Sequence, residues 1–183
     1  MVRKALDANR QLTYMSIEEE ILDRTSRGML FPMIPRAPGG MPVRALFVVE
    51  GLRNALQSPP ANDAWERRIG ELQADMDRFV CGDLIDPKYL FLLYPGRDSV
   101  WEIRSTGSNP SIRVLGLFAQ KDVFVATNFA LRSDLGSWQS RRWKEVKRDA
   151  LAKWRWLFGP YQPLAGSDID QLVSGALNGR YFK

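Results

Sequence analysis

At 183 residues, with 45% hydrophobic and 26% charged side chains, the chain is long enough to bury about two-thirds of its unfolded surface in one core and too apolar to be disordered throughout. A single cysteine, Cys81, excludes an intramolecular disulfide, and the lack of histidine excludes triads with a histidine base, paired-histidine nuclease chemistry and nearly all zinc sites. The net charge of +5 equals the excess carried between residues 132 and 155, where eight cations (Arg132, Arg141, Arg142, Lys144, Lys147, Arg148, Lys153, Arg155) meet three acids (Asp134, Glu145, Asp149); such a run either faces a polyanionic partner or forms a solvated helix face.

Residues 1–42 read as an arm that packs on the domain or on a partner, or is disordered. Within it "SIEEEILDRTSRG" has a capping box, Ser16 with Glu19, and an apolar stripe of Ile17, Ile21 and Leu22, which predicts one short helix. Its "EEE" could cover a basic face of the same chain. "GMLFPMIPRAPGGMP" follows, and its four prolines and three glycines predict a linker with no regular element. "VRALFVVE" (43–50) reads as a strand, "GLRNALQ" as a short helix stopped by Pro59 and Pro60. A longer helix begins at Asn62 or Asp63, carries Trp65, Ile69, Leu72, Met76, Phe79 and Val80 on one stripe, and stops at Gly82.

Four short strands are then expected, over residues 88–94, 99–105, 111–118 and 123–131, joined by "PGRD", "TGSNP" and "AQKD" into an antiparallel meander. Residues 140–158 read as a helix whose buried stripe is Trp143, Val146, Ala150, Trp154, Leu157 and Phe158, with Arg141, Lys144, Arg148 and Arg155 on another side. A last short helix is expected after Ser167, ending near Gly179. The fold class is therefore α+β: an antiparallel sheet of four to five strands packed against an N-terminal helical pair and a C-terminal basic helix, spanning 43–160, with 161–183 as a short helical extension. The longest apolar runs, residues 45–49 and 89–94, fall far short of the ~20 residues of a membrane helix, and the first residues lack a signal-peptide centre, so a cytoplasmic protein with no membrane partner is expected.

Strand alternation sorts the charges. Trp101 and Ile103 share a core face, and Glu102 and Arg104 the other. In the next strand Ile112, Val114 and Phe118 oppose Arg113, Leu115 and Leu117; in the last, Val123, Val125, Thr127 and Phe129 oppose Phe124, Ala126 and Asn128. With natural hairpin registers Glu102, Arg104 and Arg113 meet, and Arg132 ends the last strand close by. Two readings follow: a cross-strand Arg–Glu pair worth roughly 0.2 to 1 kcal/mol, or a phosphate site, since guanidinium forks match phosphate oxygens. Tryptophans 138, 143, 154 and 156 interleave with the basic run and invite base stacking; helical spacing assigns Trp143 and Trp154 to the core and leaves Trp138 and Trp156 as candidates.

"VWEIR" (100–104), "SIRVLGLF" (111–118) and "NFALR" (128–132), in an order of strand, two helices, meander and basic helix, are similar to the RelE/ParE toxin superfamily, and closest to its HigB and phage Gp49-like branch with its "L-W-E-L-R", "Y-R-V-L" and "F-x-K-K" patterns. The resemblance covers about residues 43–158; Ile112 stands where the branch has tyrosine, and Leu131 where it has the first lysine. It implies a RelE-like fold and a type II toxin that cleaves mRNA, usually on the ribosome, without metal or other cofactor, and that a cognate antitoxin protein restrains. Arg104, Arg113, Arg132 and Glu102 would then be catalytic, and Arg141, Arg142, Lys144, Arg148 and Trp138 would contact RNA. A catalytically inactive module of the same fold, binding RNA, ribosome or a protein in the manner of a phage-derived or ParE-like factor, is the alternative.

Overall fold

The computed structural model describes residues 15–36, 40–137 and 139–182. Its elements run α1 (Ile17–Ser26), β1 (Leu30–Pro32), β2 (Ala45–Val49), α2 (Glu50–Gln57), α3 (Asp63–Cys81), β3 (Leu90–Leu92), β4 (Trp101–Arg104), β5 (Ile112–Gln120), β6 (Val123–Leu131), α4 (Arg132–Leu135) and α5 (Arg141–Phe158). One sheet takes all six strands in the order β1-β2-β6-β5-β4-β3. The expected meander is there, β3 to β6, each strand antiparallel to the next. The protein is α+β, but the sheet is six-stranded and mixed rather than purely antiparallel with four or five strands: β2 runs parallel to β6, and β1 adds antiparallel to β2. Among the described residues no helix is long and apolar enough to cross a membrane.

Local chemistry sets the helix ends. Ser16 and Glu19 form the expected capping box of α1. Asn62 accepts from the Trp65 amide at 2.9 Å to start α3, and Gly82, at φ 85°, supplies the left-handed residue that ends it. Ser140 starts α5 in the same way, accepting from the Trp143 amide at 3.1 Å.

Three expectations are corrected. The proline-rich stretch after α1 does form a strand: Leu30, Phe31 and Pro32 pair with Val49, Val48 and Phe47. A short edge strand tolerates proline, since a missing amide there costs no ladder bond, and the Met33 amide resumes pairing with the Leu46 carbonyl at 2.8 Å. The helix expected after Ser167 is only a 3-10 turn, Ile169–Gln171, capped by Asp168. Tertiary bonds take its backbone instead: Asp122 donates its amide to the Leu172 carbonyl at 2.9 Å and accepts from the Ser174 amide at 2.7 Å. The third correction concerns the phase of β6. Leu115 pairs with Asn128, but Gly116 pairs with Ala126, so Thr127 is an extra residue and the alternation flips across it. Phe124 and Ala126, not Val125, therefore share a face with Phe118.

That face is the core. Phe124 meets Phe118 at 5.0 Å between ring centroids and Phe79 of α3 at 6.0 Å, and Trp101 meets Phe118 edge-on at 5.9 Å. Gly116 makes room for this cluster, because a Cβ there would lie 2.4 Å from the Val125 carbonyl oxygen and 2.5 Å from the Phe124 ring. The opposite face carries α5, whose Val146 carbonyl accepts from Asn128 Nδ2 at 3.3 Å. In turn α1 packs on the far end of α5, Arg24 Nε donating to the Leu157 carbonyl at 2.7 Å. Of the sheet, α5 packs chiefly on β6 and β5, and it reaches the β3–β4 side through Lys147, which is bonded to the Tyr94 carbonyl.

Candidate functional site

Where the helix stops, a hollow begins. Arg104 and Arg113 are directly paired across β4 and β5, and Glu102 lies two residues from Arg104 on the same side of the pleat. Arg132 follows β6 at once, its amide held by the Ser111 carbonyl at 2.8 Å, which sets it beside the strand that bears Arg113. These four residues line one cavity of about 400 Å³. The first turns of α5 add Trp143, Lys144 and Lys147; β3 and the loop after it add Phe91, Leu93, Tyr94 and Pro95; Gln139 completes the lining.

Glu102 is the organiser of the group. Only 2% exposed, it accepts from Arg104 Nε through Oε1, while Arg113 Nε stands 3.8 Å from Oε2. Oε2 is buried and makes no hydrogen bond among the described residues. Arg104 is fixed further by the Pro87 carbonyl at 3.3 Å and by the Phe91 ring, 4.0 Å beneath its guanidinium carbon. Arg113 donates to the Ser105 carbonyl at 3.1 Å. Burial pulls the Arg113 guanidinium below its ordinary range; the Glu102 carboxylate opposes that pull, and the Arg104 and Arg132 cations add to it. Arg132 donates to the Gly136 carbonyl at 2.6 Å.

The two lysines differ. Lys147 Nζ is paired with Asp98 at 2.8 Å and donates to the Tyr94 carbonyl at 2.8 Å. The Lys144 ammonium has no ion pair or hydrogen bond among the described residues. Of the lining residues five are cations and one, Glu102, is an acid; with Asp98 counted against Lys147, an excess of three positive charges remains over the hollow. Such an excess in a partly enclosed space is suited to an anion with several oxygens. No group of three or more acidic or thiol side chains among the described residues is arranged to hold a metal.

The residues predicted from the sequence therefore divide. Glu102, Arg104, Arg113, Arg132 and Lys144 come together in the cavity. Arg141 and Arg142 instead pair with Glu145 on the solvent side of α5, at 2.8 and 3.5 Å, and Arg148 lies 3.7 Å from Asp149. Trp156 is 64% exposed and lines no part of the cavity. Trp138 lies outside the described residues, as does the arm before Met15. No described residue before β2 lines the hollow. Sequence reasoning missed Lys147 and the wall formed by Phe91, Leu93, Tyr94 and Pro95. "KYLFLLY" is apolar at nearly every position, so alternation there carries no signal of which side meets a ligand. Trp143 is buried as its spacing implies, 8% exposed, and still contributes to the lining.

Compared with known proteins, the chain matches no family model, no curated protein and no solved structure.

Proposed function

We propose that this cavity seats a phosphate of single-stranded RNA and that the protein is an endoribonuclease of the kind found in type II toxin–antitoxin systems. The observation that carries the reading is the convergence of Arg104, Arg113, Arg132 and Lys144 on one hollow with a single buried carboxylate among them. The chain order of β2, α2, α3, the β3–β6 meander and α5 supports a RelE-like reading of the fold. An antitoxin segment rich in acids would be drawn to the same cations.

In this reading the RNA 2′-oxygen attacks the adjacent phosphorus; the P–O2′ bond forms, the P–O5′ bond breaks, and the products are a 2′,3′-cyclic phosphate and a 5′-hydroxyl. Arg104, Arg113 and Arg132 hold the phosphate oxygens and stabilise the charge that grows on them. Water takes the proton of the 2′-hydroxyl, and the Lys144 ammonium donates one to the leaving 5′-oxygen. Glu102, only 2% exposed and paired with Arg104 and Arg113, acts as a positioning residue for two guanidiniums. The test is cleavage of a single-stranded RNA with product analysis for cyclic phosphate. Arg113→Gln is expected to slow cleavage about a hundredfold with the fold intact, in line with the loss of one preorganised donor. An unchanged rate removes the site.

A second reading rests on the same Glu102. Its pairing with both Arg104 and Arg113 leaves no accessible carboxylate to act as base, which favours a module that binds RNA without turning it over. Retained RNA binding with no cyclic-phosphate product selects it.

A further inference from the structure

The cavity has two chemically distinct ends. Toward β5 and β6 it is cationic, with Arg113, Arg132 and Lys144; toward β3 it is lined by Leu93, Tyr94 and Pro95, where the one cation, Lys147, is already held by Asp98 and the Tyr94 carbonyl. A site for phosphate alone needs no apolar end, and about 400 Å³ is within the range of pockets that enclose whole small molecules rather than single ions. Arg104 stands at the boundary. One side of its guanidinium lies on Phe91 at 4.0 Å, and both residues line the cavity. A planar cation, a half-buried leucine, an exposed tyrosine and a proline ring make a wall for something flat and aromatic, beside a seat for something anionic. Both properties belong to one nucleotide.

We infer that the apolar end is a nucleobase seat: the base of the nucleotide whose phosphate lies among Arg104, Arg113 and Arg132 packs against Leu93, Tyr94 and Pro95. The inference rests on the phosphate reading above and adds the orientation of the ligand, base toward β3 and phosphate toward β6. It also gives a physical reason for the single-stranded substrate of that reading, because a base held in a duplex cannot enter. Contact with a ring face and apolar side chains, rather than with donors that read base edges, gives affinity with little discrimination among the four bases.

Titration of the intact protein with adenosine 5′-monophosphate and with ribose 5-phosphate, followed by NMR or calorimetry, tests this. Adenosine 5′-monophosphate is expected to bind about tenfold more tightly or better, the usual scale of one stacked base. Tyr94→Ala, at a residue 68% exposed, and Leu93→Gln together, with the fold checked by circular dichroism, bring that ratio close to one while the ribose 5-phosphate affinity is unchanged. Equal binding of the two ligands to the unaltered protein overturns the seat and leaves the phosphate site standing, as does a ratio that survives the double variant. Failure of both ligands to bind the unaltered protein, under conditions where Arg113→Gln also makes no difference, overturns the phosphate site and the seat together.

Discussion

The two faces of strand β4 make opposite uses of the same four residues. Trp101 and Ile103 are fully buried in the core, where Trp101 meets the Phe118 ring edge-on. Glu102 and Arg104, one residue out of phase, line the cavity beside the first turns of α5. Packing on the first face is satisfied within the chain, whereas charge on the second is satisfied only in part, by one carboxylate shared between two guanidiniums. Close packing and incompletely balanced charge are thus separated by a single step along the strand.

The largest effect is expected on the packed face. Phe118→Ala removes a ring that touches Phe79, Trp101 and Phe124, and a loss of about 3–5 kcal/mol in urea unfolding is expected, with phosphate binding of the folded fraction unaltered. A loss under about 1 kcal/mol would break the comparison. Next is Glu102→Gln, which leaves Arg104 and Arg113 facing each other without their counter-charge. Removing one member of a buried pair costs about 3 kcal/mol, and millimolar phosphate is expected to raise the melting temperature of this variant more than that of the unaltered protein. Equal phosphate effects in the two proteins would show that Glu102 does not answer those cations.

Lys144→Ala is expected to leave unfolding unchanged, because the side chain is exposed and unpaired among the described residues, and to slow cleavage about a hundredfold. An RNA whose leaving oxygen is replaced by sulfur, which departs without a proton, recovers that rate if the lysine is the donor; a variant that stays slow on this substrate has lost something else. At the small end, Arg148→Ala touches only an exposed contact with Asp149, so changes within about 0.5 kcal/mol in stability are expected, with cleavage near normal. A hundredfold loss there would move the site onto the outer side of α5.

Much of the meander was legible because alternation in "VWEIR" and "SIRV" is strict, and strict alternation fixes which side chains share a face once the hairpin closes. The same logic failed for Phe124 and Val125 because the bulge at Thr127 has no composition of its own; what reveals it is the space at Gly116, which only the partner strand uses. Strand β1 was hidden by Pro32, whose cost depends on whether the strand is central or at an edge, a fact of topology. For the site, the arginines were found by phase and the basic helix by charge. Why Lys144 faces the hollow while Arg141, three residues earlier, pairs outward with Glu145 depends on how α5 is rotated against β6, which the Asn128–Val146 bond helps to set.

One pairing at the rim ties distant parts of the chain to the cavity wall. The amide of Leu92, between Phe91 and Leu93, donates to the Tyr181 carbonyl at 2.7 Å, and the Tyr181 hydroxyl lies 2.7 Å from both the Ile85 and Leu177 carbonyl oxygens, within reach of donating its one proton to either. Opening and closing of this short ladder sets how firmly β3 holds its shape. Deuterium uptake at Leu92 is therefore a sensitive gauge of whether residues 177–181 are docked, and a graft or cut in that segment changes the rigidity of the pocket rim without altering one residue that lines it.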